Sequence, residues 1–276
     1  MKTKFLFLPL LLLVVACGNN KQNAEDMLNR AEQYYIAGDC AAATQWIDSI
    51  SAVYPDEVDV IRRGMMLQCQ VNQKLYEREL IRVDSMYNAA TAEVAALKPL
   101  FELVREGKEQ TLANYVYKGS RSGGVISKSE LRAQVTEKGD FQLTSIYCGS
   151  NKINHTGISV SGIASKPIAY DGAKNYRYTS GGNAVEMVTY NMSQCREVAE
   201  AIAQNSSGKL TVNYTGGKSY KLTLDKNRRQ AIADTYRLAC ALAASDSLLS
   251  RREYSILQLE LADRQLMKLQ DQASQK

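Results

Sequence analysis

The stretch LIRVDSMYNAATAEVAALKPLFELV, residues 80–104, sets Leu80, Val83, Tyr87, Ala90, Val94, Leu97, Phe101 and Val104 at alternating intervals of three and four. Apolar residues sustained in that rhythm predict a helix whose narrow seam packs on another helix as a coiled coil. Pro99 lies inside the stretch and, lacking an N–H, is expected to kink the helix or end it. Nearer the other end of the chain, Leu249, Ile256, Leu259, Leu266 and Leu269 form a second stripe, interrupted by Arg252 and Asp263. Each arm has a length of about 40 Å at 1.5 Å per residue. The two arms flank a region of different composition, so the simplest architecture has one arm leading out and the other returning. Pairing of both stripes across a homodimer is the alternative. The expected fold class is α+β: an N-terminal helical hairpin, long antiparallel coiled-coil arms, and an inserted small β-sandwich or open-barrel domain with one helix.

Between the arms, Val, Ile, Tyr and Thr alternate with polar residues and are punctuated by Gly, Asn and Asp. Leu131–Thr136 and Phe141–Tyr147 read as strands joined through Lys138-Gly139-Asp140. Further strands are expected at Gly157–Gly162, Asn175–Thr179 and Ala184–Tyr190, then a helix at Ser193–Gln204 capped by Ser193. Lys209–Tyr214 and Ser219–Leu224 complete the set as a last hairpin, and Lys226–Ala244 returns to helix.

Ahead of the arms, Met27, Leu28, Ala31, Tyr34 and Tyr35, then Ala43, Trp46, Ile47 and Ile50, recur at helical spacing. Gly38-Asp39 and Tyr54-Pro55-Asp56 break the pattern, with Asp39 placed to cap the second helix and a third running to about Val71. Ala31, Tyr34, Gly38, Ala43, Ile47 and Pro55 fall at the small, aromatic, turn, small, apolar and terminating positions of a tetratricopeptide repeat, which this segment resembles. Ile50 departs from that pattern, being large where a small residue is usual. The likeness covers one unit, so it implies a helical hairpin and no superhelical groove.

The chain begins with Lys2 and Lys4, an apolar core Phe5–Val15, and Ala16-Cys17-Gly18. That order has the form of a secretory signal, and the twelve residues of the apolar run Phe5–Ala16 are too few to span a bilayer. A Cys directly after the small residue resembles the lipobox of bacterial lipoproteins. The resemblance implies that Cys17 is acylated and becomes the first residue of the mature chain. No Asp follows Cys17, which in lipoproteins of the enteric type implies the outer membrane, on either its periplasmic or its outer face. Taken whole, the chain resembles envelope lipoproteins of the Bacteroidota type. The organisation is then 1–16 signal peptide, 17–24 polar tether, 25–73 tetratricopeptide-like segment, 74–114 first arm, 115–225 β-rich domain, and 226–276 helix with the returning arm.

The formal net charge of +5 over 276 residues, +3 once Lys2 and Lys4 are removed, is mild, and nucleic acid is not an expected partner. Apart from Cys17, the cysteines are Cys40, Cys69, Cys148, Cys195 and Cys240, with no CxxC pair, so zinc fingers and thioredoxin-like redox motifs are unsupported. In an antiparallel hairpin of the second and third helices, Cys40 and Cys69 fall at the same level. If both point inward a disulfide forms; otherwise both remain reduced as small apolar residues. The sequence does not pair Cys148, Cys195 or Cys240.

Catalytic signals are sparse. His155 is the single histidine, which removes any metal site or mechanism needing two imidazoles, and its polar, turn-like surroundings suggest a surface or hydrogen-bonding role. Glu186 is a lone acid on a strand, without the second carboxylate that glycoside hydrolysis needs. Gly119-Ser120-Arg121-Ser122-Gly123-Gly124 lacks the GK[ST] ending of a phosphate loop. No catalytic residue, metal ligand or cofactor is expected. Residues 115–225 carry thirteen Lys/Arg against eight Asp/Glu and nine of the sixteen tyrosines. Tyrosine is an amphipathic contact residue with little rotamer freedom to lose. Tyr176-Arg177-Tyr178 is therefore the expected binding face, for an envelope glycan or an acidic envelope protein. The favoured function is a non-catalytic, lipid-anchored scaffold or binding module. The alternative is an enzyme or accessory subunit acting on glycans or cell-wall material through an unrecognised site in the β domain.

Overall fold

A computed structural model describes residues 19–105, 107, 110–120, 126–205 and 209–275. The fold is mixed helix and antiparallel sheet, an α+β protein, and it divides into two compact units. One unit combines the chain up to Val83 with the segment from Arg251 onward; the other runs from Asp84 to Ser250. Cys17 and the signal lie outside the described residues.

The first unit opens with helices α1 (Asn20–Ala37) and α2 (Cys40–Val53). Gly38 ends α1 in a left-handed conformation at φ 86°, and the Asp39 carboxylate caps α2 by accepting from the Ala42 N–H at 3.0 Å. Helix α3 (Val58–Leu97) follows. Ala24, Leu28, Ala31, Ala43, Ile47, Ile50, Val60, Leu67 and Val71 form the core of this unit. The polar tether expected through residue 24 is helical from Asn20, because Ala24 is buried against that core. No break follows Val71 either: with neither Gly nor Pro from Met65 to Leu97, the third helix and the first arm are one element.

Helix α5 (Lys226–Ser274) contributes its last part to this unit. It runs antiparallel to α3: Glu79 pairs with Arg251, the Tyr76 and Tyr254 rings meet edge to face at 6.2 Å, and Gln73 bonds Asp263. Of the stripe expected on α5, Ile256, Leu259, Leu266 and Leu269 are half-buried, and the fully buried positions fall one residue before Leu249, Ile256 and the Asp263 interruption. Leu248, Ser255 and Ala262 are buried instead, while Leu249 is exposed. One residue is about 100° of helical rotation.

Cys40 and Cys69 are free buried thiols, the reduced one of the two alternatives left open by their common level. Their level is right, since Gln68 on α3 reaches Thr44 on α2 at 3.2 Å. The rotation is wrong. Leu67 and Val71 face the α1–α2 core, and Cys69, two residues from each, points about 160° away, into a hollow shared with Gln265 and Leu269.

In the second unit Pro99 does end α3, in a short 3-10 turn at Lys98–Leu100. Phe101 and Val104, expected at the end of the first arm, belong instead to strand β1 (Phe101–Val104), so the β region begins there and not at 115. The Phe101 ring packs edge to face on Tyr117 at 5.4 Å, a contact between neighbouring strands. Strands β2 (Asn114–Tyr117), β3 (Glu130–Thr136), β4 (Phe141–Gly149), β5 (Gly157–Val160), β6 (Ile163–Ala164), β7 (Asn175–Ser180) and β8 (Asn183–Asn191) follow. Then come helix α4 (Met192–Gln204), β9 (Leu210–Thr215) and β10 (Tyr220–Leu224). One antiparallel sheet has the order β1-β2-β3-β4-β8-β7, and the other β10-β9-β5-β6.

Every expected strand and α4 are present, with α4 starting at Met192 behind Asn191, whose N–H donates to Gln194 Oε1 at 2.9 Å. Between β7 and β8 the two-residue turn Gly181-Gly182 has φ of 56° and 78°, the left-handed pair a tight hairpin requires. Leu131, Phe141, Leu143, Val188 and Tyr190 of the larger sheet share one core with Ile158, Val160, Val212 and Tyr214 of the smaller. Val198 and Ile202 of α4 and Ile232 and Tyr236 of α5 complete it. The helix expected at Lys226–Ala244 and the returning arm form one continuous α5, which contains no Gly or Pro.

Candidate functional site

Alternation along β7 separates the three residues expected to act together. Arg177 lies opposite Glu186 on β8, on the face that carries the core, whereas Tyr176 and Tyr178 lie opposite Met187 and Val185 on the other face. That second face is solvent-bearing only in part, with Val185 and Ile146 fully buried on it, and some of its side chains pair across strands. Gln134 bonds Gln142 at 2.8 Å, Thr144 meets Thr189 at 3.0 Å, and the Tyr176 and Tyr178 rings lie 6.4 Å apart at an interplanar angle of 20°. The two tyrosines are 37 % and 39 % exposed on an edge strand, so their rings are available to a ligand.

Beneath them, on the core face, lies an array that sequence reasoning missed. Glu186 is fully buried and its Oε1 accepts the backbone N–H groups of Ile153 at 2.7 Å and Asn154 at 2.8 Å. Its Oε2 accepts the His155 N–H at 3.0 Å and faces His155 Nδ1 at 3.0 Å. Of the surface and hydrogen-bonding roles expected for His155, the structure gives the second, since the side chain has no exposed area. Its Nε2 is 2.9 Å from Ser145 Oγ, which also lies 3.3 Å from the Tyr190 hydroxyl. With Nδ1–H donated to the carboxylate, Nε2 accepts from Ser145, a consistent assignment for neutral imidazole.

Burial opposes charge on both groups, and its outcome differs between them. Burial pushes His155 below the ordinary histidine range, only partly opposed by Glu186. Burial alone would raise the Glu186 carboxyl, but the hydrogen bonds from Asn154, His155 and Ile153 outweigh it and hold it low. Arg177 Nε, 4.0 Å from Glu186, supplies the nearest positive charge, and its guanidinium lies 4.9 Å from the exposed Tyr170 ring. Arg177 is thus a support for the edge strand and its surroundings.

Ser145, His155 and Glu186 stand in the order that activates a serine nucleophile. None has solvent-exposed surface, so no substrate reaches the Ser145 hydroxyl. The array acts as a clamp. The loop it grips is held from the other side by the β9–β10 turn, where Thr156 N–H donates to Thr215 at 2.8 Å and Lys218 N–H to Ile153 at 2.7 Å. The His155 ring packs on Tyr214 at 4.8 Å, and the Tyr214 hydroxyl donates to the Glu130 and Ile146 carbonyls at 3.0 Å. One chain of contacts thereby ties the smaller sheet to the larger.

Of the glycine-rich segment, Gly119 and Ser120 border a hollow of about 640 Å³ at the start of α5, and residues 121–124 lie outside the described residues. The hollow is lined by Lys118, Lys226 and Arg228. Its charge is partly answered already: Asp225 accepts the Arg228 N–H at 2.7 Å, and Glu130 pairs with the Arg228 guanidinium at 2.8 Å. Cys148, Cys195 and Cys240 are free thiols. Among the described residues no group of three His, Cys, Asp or Glu side chains is placed to hold a metal ion, and no helix is long and apolar enough to cross a membrane. Compared with known protein families, curated proteins and solved structures, the chain matches none.

Proposed function

We propose that this protein is a non-catalytic, lipid-anchored cell-envelope lipoprotein whose β-rich unit is a glycan-binding module. In this reading Cys17 carries the anchor at the outer membrane, α3 and α5 pair as an antiparallel coiled-coil spacer, and the two sheets form a small sandwich. The observation that carries it is the solvent face of the six-stranded sheet. Exposed, near-parallel tyrosine rings share that face with a Gln134–Gln142 pair and a Thr144–Thr189 pair. Aromatic faces cover the C–H surfaces of a sugar while amides and hydroxyls meet its hydroxyl groups. A glycan is favoured over an acidic protein because Arg177, the cation of the expected face, is turned inward toward Glu186.

The double variant Tyr176→Ala/Tyr178→Ala should keep its thermal midpoint yet lose at least about tenfold, or ~1.4 kcal/mol, in binding to isolated envelope polysaccharide by calorimetry. Undiminished binding by the variant would refute the assignment of this face. The anchor is tested separately. Cys17→Ala should move the protein out of the detergent phase in a partitioning assay, and an unchanged membrane fraction would remove the lipoprotein reading.

A further inference from the structure

The sheet face that carries Tyr176 and Tyr178 also carries a cation that the expected binding face did not include. The register sets Arg132 of β3 opposite Thr144 of β4, and Thr144 opposite Thr189 of β8. Lys174, one residue before β7, continues this row, its carbonyl accepting the Thr189 N–H at 2.7 Å. Arg132 and Lys174 therefore close the two ends of a pair of hydroxyls, three strand spacings or about 14 Å apart. Lys174 is exposed and shares its charge with Asp171. The Arg132 side chain is 29 % exposed, and it is less fully answered. Across β3, β4, β8 and β7 the single carboxylate on this face is Glu130, which is buried. Glu130 lies between two guanidinium groups, accepting from Arg132 Nε at 2.6 Å and from Arg228 at 2.8 Å. One negative charge thus answers two positive ones, and among the described residues Arg132 Nη1 has no partner. Burial pushes the Tyr178 hydroxyl up, and the positive charge of Arg132 acts on it in the opposite direction, so the guanidinium is within Coulomb range of that ring.

We propose that the glycan taken by this face is acidic, bearing a carboxylate as a uronic acid does, and that Arg132 receives that carboxylate. The inference rests on the glycan-binding reading above and names the class of sugar. Arg132 Nη1 and the second hydrogen of its Nη2 form a two-donor edge, the arrangement that a planar carboxylate matches with two parallel hydrogen bonds. The neighbours of the cation select a sugar acid over an acidic protein surface. They are Thr144 in its own row and the Gln134–Gln142 pair in the next, groups suited to the hydroxyls that surround one carboxylate on a sugar ring. Lys174, at the far end of the row, adds a weaker and more solvated attraction.

Calorimetry of the full chain with isolated envelope polysaccharide, before and after carbodiimide and borohydride reduction of its carboxyl groups to alcohols, tests this. The wild-type chain should bind the untreated form about tenfold more tightly than the reduced one. Arg132→Gln should bring that preference close to one, with the fold kept because Glu130 retains Arg228. Lys174→Gln, at an exposed position, should lower the preference about threefold. Equal wild-type affinity for the two forms overturns the carboxylate and leaves the glycan reading standing. Affinity that survives carboxyl reduction but falls on desulfation assigns the anion to a sulfate ester and overturns it too, and a preference undiminished in Arg132→Gln overturns the role of Arg132. Binding of neither form removes the glycan reading and this inference with it.

Discussion

Replacing Glu186 with alanine is expected to lower the unfolding free energy of the β-rich unit by about 3–5 kcal/mol, the range for removing one partner of a buried charged network. The carboxylate accepts from the backbone of Ile153, Asn154 and His155 and from the His155 ring, all in a site without solvent. Alanine strands every one of these donors and leaves Arg177 without its nearest anion. Glu186→Gln retains the shape and one acceptor oxygen, so it should recover part of the loss. Urea unfolding followed by near-ultraviolet circular dichroism measures both, and a loss below about 1 kcal/mol for the alanine variant would show that the clamp is incidental.

The same network predicts acid sensitivity. His155 is held neutral in the folded protein below its ordinary range, so as pH falls through about 6.5 the unfolded chain takes up a proton that the folded one refuses. Stability should fall there by up to about 1.4 kcal/mol per pH unit. Glu186, held low when folded, adds its own loss only at more acid pH, from about 4.3 downward. Because the chain has one histidine, a flat profile between about pH 7 and 5.5 would contradict the burial of His155 directly.

Gly217→Ala is expected to cost about 3 kcal/mol or more, for a steric reason alone. A Cβ at this position would lie 2.0 Å from the Ile153 carbonyl oxygen and 2.6 Å from that of Asn154. Both obstacles are backbone, and the loop that bears them cannot retreat while Glu186 holds its N–H groups. Gly162 is the control. Its added Cβ meets nothing within 4 Å, and only its φ of 85° resists substitution, so Gly162→Ala should cost about 1 kcal/mol. Equal effects at the two positions would mean that the β9–β10 turn does not press on the loop as described.

The strands were legible because alternation is a local signal that burial on one face enforces. Leu131–Thr136 and Ala184–Tyr190 sit within a residue or two of β3 and β8. Strand parity also held an unused clue: Glu186 shares its face with Ala184, Val188 and Tyr190, so its burial was readable from the alternation of β8. His155 had no such signal, since its segment is irregular and its partners come from β4 and β8, distant in sequence. The heptad at residues 80–104 overran its helix because apolar spacing cannot distinguish a seam from a strand whose first and fourth residues are buried, and Pro99 was the better guide. Rotation defeated two other readings. Level along a hairpin follows from counting residues, but which way Cys69 or Leu249 faces depends on how neighbouring helices roll together, and no periodicity of one chain encodes that.

The first unit takes its residues from both ends of the described chain, up to Val83 and again from Arg251. Synthesis therefore delivers all of the β-rich unit before the segment that completes the helical one. Until then Val71, Leu67 and their neighbours can pack on α1 and α2, but the other side of α3, with Cys69 and Tyr76, waits uncovered. A chain cut short by premature termination or proteolysis near residue 250 would display that side permanently. The segment from Arg251 onward thus protects that side of α3, and its removal would offer exposed apolar helix to proteases.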